Sequence, residues 1–365
     1  MRTVRFGLVG CGKVAGLHAK AFASLAGQGV ELTAVWGRDP AKAEAFAAAH
    51  GLSAYRTIGD LVEQGRLDAV VIATPHLQHR EHGVAALEAG AHVLVEKPLA
   101  LSVDDADALI AAADRRGRTL GLISQRRWFP AVQRVKAALE AGKVGRPALA
   151  QVTMLGWRDE AYYRSDPWRG SWSGEGGGVL ANQAPHQLDL LQWFLGPIDE
   201  VYAAWGNVNH PYIEVEDSAV AVVRGANGVM ASVLVSNSQK PGLYAKVHVH
   251  GTSGASVGVQ TDGGAMFIAG MSSLVETALN DLWTVPGEEP LSARWLADDR
   301  ALFERVDATS YFHALQFLDF AQALREARAP AVDGREGRKS VALIEAIYRS
   351  GRERRPVAMN ELGSG

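Results

Sequence analysis

Short apolar runs alternate with alanine-rich helical stretches over the first third of the chain. Val4 to Val9, Leu32 to Trp36, Ala69 to Thr74, His92 to Glu96 and Thr119 to Ile123 are nearly continuous in apolar character, as strands covered on both faces must be. Val14 to Leu25, Ala41 to Ala49, Glu81 to Ala89 and Asp104 to Arg116 lie between them and read as helices. Strand and helix in alternation predict a parallel, doubly wound sheet, with ligands bound beyond the carboxyl ends of its strands. After Gln125 the rhythm changes. A helix at Pro130 to Ala141, a strand at Ala148 to Leu155, a polar aromatic loop and a helix at Pro185 to Phe194 lead into successive strands. These run Val201 to Asn207, Ser218 to Val223, Val229 to Ser236, Ala245 to His250 and Ala255 to Val259, joined by turns such as Arg224 to Gly228. Strands without intervening helices predict a large, mostly antiparallel sheet with an open face. Two helices, Tyr311 to Arg328 and Gly337 to Arg352, close the chain.

A chain of 365 residues exceeds one small core, so two domains are expected, 1–125 and 126–365. The 47% apolar and 21% charged content is that of an ordinary globular chain, and a net charge of −3 argues against a nucleic-acid partner. The run Arg352 to Arg355 reads as a solvated helix end. Cys11, the single cysteine, excludes an internal disulfide and any cysteine-based zinc cage. No stretch reaches the length of a membrane span and no leader is evident, so the expected location is the cytoplasm, with no membrane partner.

The first apolar run leads directly into Gly10-x-Gly12-x-x-Ala15 and then a helix. A strand, a glycine turn and a helix start form a dinucleotide fingerprint. Gly10 permits the tight turn, Gly12 admits the pyrophosphate, Ala15 lets helix and strand pack, and the free N–H groups near Lys13 and Val14 attract the anion. The first domain is therefore expected to be a Rossmann domain. Its second strand ends in Gly37-Arg38-Asp39-Pro40, with no acidic residue at the tip to hold the ribose hydroxyls of NAD. Arg38 suits a 2′-phosphate and Asp39 reads as a helix cap, so NADP(H) is favoured and NAD(H) is possible.

Several separated motifs resemble the Gfo/Idh/MocA family, named after glucose-fructose oxidoreductase and inositol dehydrogenase. They are Gly10 to Ala15, Ala73-Thr74-Pro75-His76-Leu77-Gln78-His79, Gly90 to Pro98 with Glu96-Lys97-Pro98, Glu175 to Leu180, the stretch around His186 and Asp189, and Ala346 to Ser350. The resemblance spans nearly the whole chain. It implies a Rossmann domain, a sheet-bearing domain for substrate and oligomer contacts, and reversible hydride transfer at a sugar or cyclitol carbon. A homodimer or homotetramer is expected.

Within that resemblance, Lys97 is expected to donate a hydrogen bond to the reacting oxygen, and a cis peptide to Pro98 is implied. Thr74, Pro75, His79 and Glu96 are assigned with Lys97 and Pro98 to the cofactor side, although packing or a helix-start bond also accounts for His79. His186 is expected as the acid/base. Asn182, His186 and Asp189 share one helix face if the helix starts early enough, with Asp189 orienting the ring or holding a substrate hydroxyl. A metal reading lacks a third ligand, so none is expected. Inositol dehydrogenase relatives commonly carry an aspartate where this chain has Asn182, which positions a group without accepting its proton.

The loop Trp157 to Trp172 interleaves aromatics with arginines, which fits a carbohydrate site and equally fits the lid of a core. Trp157, Arg158, Tyr163, Trp168 and Arg169 are its candidate substrate contacts, and Gln125 and Arg127 join them by analogy with the family. The expected activity is an NAD(P)-dependent sugar, anhydrosugar, cyclitol or glycoside dehydrogenase or reductase. Redox-assisted glycoside cleavage and a non-catalytic sugar- or cofactor-binding regulator are the alternatives.

Overall fold

The computed structural model describes residues 2–263 and 276–363. The chain forms two compact units, one of residues 1–125 with 309–341, the other of 126–308 with 342–364.

In the first unit, strands and helices follow one another as β1 (Val4–Val9), α1 (Lys13–Ala23), β2 (Val30–Trp36), α2 (Pro40–His50), β3 (Ser53–Tyr55), α3 (Ile58–Glu63), β4 (Ala69–Ile72), α4 (His79–Glu88), β5 (His92–Val95), α5 (Val103–Arg116) and β6 (Leu120–Leu122). The sheet order is β3-β2-β1-β4-β5-β6, parallel throughout. The order reverses between β1 and β4, which opens a crevice beyond their carboxyl ends. Phe6, Leu8, Val71 and Leu94 build the core from the sheet side.

The other side of that core corrects the sequence expectation for residues 309–341. The helix α11 (Ala308–Glu326) was expected in the second domain, but it packs Phe317 and Phe320 onto β1 and α1. Phe317 stacks on Phe22 with ring centroids 4.3 Å apart. The reason is apolar area. The sheet face over Phe6 needs a cover, and the stripe Ala314, Phe317, Phe320, Ala321 supplies it.

In the second unit the elements are α6 (Pro130–Glu140), β7 (Pro147–Leu155), α7 (Glu160–Arg164), α8 (Val179–Asn182), α9 (Pro185–Leu195), β8 (Ile198–Gly206), β9 (Ser218–Gly225), β10 (Met230–Ser236), β11 (Tyr244–Gly251), β12 (Ser256–Gly263), β13 (Leu279–Trp283), α10 (Leu291–Arg305) and β14 (Val357–Ala358). A last helix, α12 (Gly334–Glu353), begins in the first unit and ends in the second. The sheet runs β13-β12-β11-β7-β10-β9-β8-β14. It is antiparallel except where β7 and β10 run parallel. Inward positions such as Val152, Val233 and Val247 are fully buried, with α9 packed on β7 and β11. The opposite face alternates outward as the period of two requires, and Val220 and Val222 there are 54% and 57% exposed beside Tyr202, Met230 and Leu234. Among the described residues no helix is long and apolar enough to cross a membrane.

Candidate active site

The nucleotide half is built by three strand ends of the first unit. After β1 the chain turns at Gly10, whose φ is +113° and whose N–H donates to the Trp36 carbonyl at 2.7 Å. A Cβ there would stand 2.6 Å from the carbonyl oxygen of Ala73, so only glycine passes between the ends of β2 and β4. Gly12 is the N-cap of α1 and offers no side-chain cap, and nothing lies within 4 Å of where its Cβ would be. The first turn at Lys13 and Val14 thus has donors and open space for a diphosphate, while buried Ala15 lets the helix lie close on the sheet. These residues fit a dinucleotide. Beyond β2, Gly37 is buried and Arg38 exposed, and Asp39 caps α2 by accepting from Ala41 and Lys42 at 3.0 and 3.3 Å.

Two residues expected on the cofactor side turn out to face inward. His79 opens α4 wholly buried, with Nδ1 2.8 Å from the Pro98 carbonyl and Nε2 2.9 Å from that of Thr74. A ring enclosed in this way ties two loops together and cannot touch a ligand. Glu96 is also buried, its Oε1 2.9 Å from Nε2 of His18 and its Oε2 accepting the Lys97 N–H at 3.0 Å. Burial pushes its carboxyl up, yet the bond to His18 and the nearby positive charge outweigh it and hold the pKa at about 2. Thr74 and Pro75 remain at the carboxyl end of β4, and the Lys97–Pro98 peptide is cis.

In the second unit, Glu175-Gly176-Gly177-Gly178 leads into the short helix α8. A Cβ on Gly178 would lie 1.8 Å from the Glu216 carbonyl, so the approach of the two segments requires glycine. The Glu216 carboxylate accepts from the N–H groups of Gly178 and Leu180 and from the Tyr348 hydroxyl, each at 2.9 Å. This pins the start of α8. Burial outweighs those bonds and pushes the Glu216 pKa up to about 7.

The expected single helix face does not form. Asn182 ends α8, Gln183 and Ala184 make a turn, and Pro185 starts α9 with buried His186 in its first turn. Asp189 has an ion-pair partner from outside its own helix. Arg127 donates to it from Nε at 2.9 Å and from a terminal nitrogen at 2.6 Å, with both side chains almost fully buried and the guanidinium 4.8 Å above the Trp193 ring. A carboxylate removed from water needs a counterion, and Arg127 is that counterion.

Tyr163, expected in the substrate loop, is likewise a core group. It is buried between Tyr162 and His210, and burial pushes its phenol pKa up. Its neighbour Tyr162 is the residue that sequence reasoning missed. The Tyr162 oxygen receives donors from Arg169, from Gln183 at 3.0 Å and from Asn182 at 3.3 Å. Arg158 and Arg169 lie 5.0 and 4.3 Å from its ring centroid. Adjacent residues on a helix diverge by about 100°, so one of two tyrosines turns to the core, and composition alone does not tell which.

Asn182 also donates to Glu175, whose other oxygen accepts from the Gly170 N–H at 2.7 Å. Half-buried Trp168 lies under Arg169 at 4.4 Å, and Trp157 lies 5.5 Å from the Lys240 ammonium. The side-chain amide oxygen Oε1 of Gln125, in the first unit, is buried without a hydrogen-bond partner among the described residues.

A six-stranded parallel sheet with a glycine turn at an open helix start, beside a lysine at a neighbouring strand end, defines an NAD-binding oxidoreductase. The profile described as "Oxidoreductase family, NAD-binding Rossmann fold" matches residues 4–123, and that of the "GFO/IDH/MocA C-terminal domain" matches residues 132–257. The chain belongs to the Gfo/Idh/MocA oxidoreductase family. It is 30% identical to 1,5-anhydro-D-fructose reductase of Ensifer adhaerens over 70% of this chain and 75% of that protein. Inositol 2-dehydrogenase of Rhizobium meliloti is 28% identical over 98% of this chain and 99% of its own. Among solved structures, the WlbA dehydrogenase from Bordetella pertussis in complex with NADH and UDP-GlcNAcA shares 31% identity over 98% of each chain, with a TM-score of 0.85. The protein is thus an oxidoreductase of the sugar and cyclitol dehydrogenase type.

Proposed function

We propose that the protein moves a hydride between a nicotinamide cofactor and a ring carbon of a polyhydroxylated substrate. The observation that carries this reading is the hydrogen-bond set of Asn182. Its amide nitrogen donates to Glu175 and, at 3.3 Å, to Tyr162, so a polar side chain is held in one orientation beside the aromatic loop. A held amide of this kind suits a ring hydroxyl, and the half-buried faces of Trp168 and Arg169 suit the apolar and polar sides of a sugar.

In the oxidative direction the C–H bond breaks with its electron pair passing to the oxidised nicotinamide, which is the chemistry the cofactor supplies. The hydroxyl proton goes to His186, and the Lys97 ammonium stabilises the oxygen as negative charge develops on it. Arg38, exposed at the end of β2, supports NADP(H) over NAD(H), since the Asp39 carboxylate is already engaged with α2. A nucleotide-linked sugar is a second substrate reading, favoured by the full-length likeness to WlbA.

The test is a spectrophotometric screen of monosaccharides, inositols, anhydrosugars, glycosides and UDP-sugars with both cofactors. A substrate that turns over should lose it by orders of magnitude in Lys97→Ala, since one preorganised donor to an oxyanion is worth about 3–4 kcal/mol. Arg38→Ala should weaken NADP(H) and spare NAD(H). Full turnover in Lys97→Ala, or unchanged NADP(H) affinity in Arg38→Ala, overturns the corresponding assignment. Glycoside cleavage without accumulation of reduced cofactor would favour the redox-assisted alternative.

A further inference from the structure

Under the strand ends of the first unit, one buried ring has partners that a neutral imidazole does not satisfy. Both ring nitrogens of His79 meet backbone carbonyl oxygens, Pro98 at 2.8 Å and Thr74 at 2.9 Å. These are ordinary N–H···O lengths, and a carbonyl only accepts. A neutral ring has one N–H, so its other nitrogen would aim a lone pair at a carbonyl oxygen at hydrogen-bond distance. The ring is wholly buried, which leaves no room for solvent to repair the mismatch.

We propose that His79 is held as an imidazolium clasping the chain after β4 to the chain after β5, and that it is a positioning residue for Lys97. The two bonds span the loop carrying Thr74-Pro75 and the loop carrying Lys97-Pro98. From the end of β5 the Glu96 carboxylate favours the cation, while the Lys97 ammonium opposes it. From the same helical segment, the His76 ring stands edge-on at 5.7 Å, and His82 sets its Nδ1 3.0 Å from the Thr74 hydroxyl. Burial is the largest influence and draws the His79 pKa below the ordinary imidazole value, with the two carbonyl bonds and Glu96 working the other way; the geometry of two acceptors facing one ring is what favours the cation. When the proton leaves, one of the two bonds must be lost. The clasp on either Thr74 or Pro98 then opens, and the backbone that aims Lys97 loses a support.

The inference rests on the reading of Lys97 as oxyanion donor, but its first readout is independent of activity. In the full-length protein labelled with ¹⁵N-histidine, the His79 ring is assigned by contacts of its N–H protons to Pro98 and by loss of the signal in His79→Gln. Two protonated ring nitrogens near neutral pH, with the Lys97 amide resonance shifting in step when that proton titrates, are expected. One lone-pair nitrogen across the pH range in which the protein stays folded overturns the proposal, whether or not the variant folds. On a substrate that turns over, His79→Gln, which has a single donor group in place of two opposed ones, should lower kcat about 10- to 100-fold. It should also abolish the corresponding limb of the pH profile, with cofactor affinity little changed. Parent-like kcat and pH profile in His79→Gln would refute the positioning role, while absence of turnover in the parent would count against the proposed function and leave the ¹⁵N result standing.

Discussion

Replacing Asp189 by alanine separates two roles that the sequence makes equally attractive. The structure engages this carboxylate with Arg127 through two hydrogen bonds of 2.9 and 2.6 Å, and the side chains are only 3% and 5% exposed. At that burial solvent screening gives no relief, and removing one partner leaves an uncompensated charge, which costs about 3–5 kcal/mol. The Trp193 ring, 4.8 Å from the guanidinium, stays in place and retains about 1 kcal/mol of attraction, so the lower half of that range is expected. With a urea m-value of about 2–3 kcal/mol/M, the midpoint should fall by about 1–2 M, read by circular dichroism. The double variant Arg127→Met with Asp189→Leu should recover most of the loss, because apolar replacement of a buried pair is often neutral. It should also keep kcat within about tenfold of the parent, since no reacting atom is removed. The reasoning fails if Asp189→Ala unfolds at the parent midpoint while activity disappears, for then the carboxylate serves His186 or the substrate and not Arg127.

Three further outcomes are expected. His186→Ala should lose roughly 10²- to 10⁴-fold in turnover, with the oxidative deficit shrinking at high pH, whereas Asn182→Ala should chiefly raise KM; the reverse ranking would move the base elsewhere. Glu216 has a folded pKa near 7 against 4.5 in the unfolded chain, so the folded state binds more protons between those values and stability falls as pH rises through them. That fall amounts to about 3 kcal/mol and should flatten in Glu216→Gln when urea midpoints are compared at pH 4.5 and 8; an unchanged slope would show that Glu216 does not titrate there. Finally, the outward face bearing Val220 and Val222 supports assembly of copies through this sheet, so Val222→Arg should reduce the mass measured by light scattering, and a parent that is monomeric at micromolar concentration excludes it.

What could be read from the chain was whatever local spacing specifies. The strands β1, β2, β4 and β5, the glycine turn and the hairpin at Arg224 to Gly228 each carry their cause within about ten residues, as turn chemistry or a buried apolar run. The edge pieces β3, α3, β13 and β14 escape because two to six residues do not display a period. The placement of 309–341 escapes for a different reason. A stripe of phenylalanines says that a helix is buried, not against which sheet, and the answer lies in Phe6 and Phe22, some three hundred residues earlier. At the site, the apparent pairing of His186 with Asp189 is a three-residue spacing. The ion-pair partner of Asp189, Arg127, is 62 residues away and enters only through the fold. His79 and Glu96 were recognisable as important, but the direction in which each faces was not.

The contact between Glu175 and Asn182 constrains which exchanges this chain can accept at either position. Here a carboxylate meets an amide, and the pairing works because one side accepts while the other donates. Were position 182 an aspartate, as inositol dehydrogenase relatives commonly have, two acids would meet within hydrogen-bond reach, and both could not be ionised together. They would share one proton, and Tyr162 would lose a donor. The two positions are therefore coupled in this chain. In this scaffold, Asn182→Asp alone would bring two acids together, and a neutral residue at 175 would relieve the pair. Transplanting an inositol-type motif into this scaffold one residue at a time would cross an intermediate less fit than either end, and the double exchange is the shorter path.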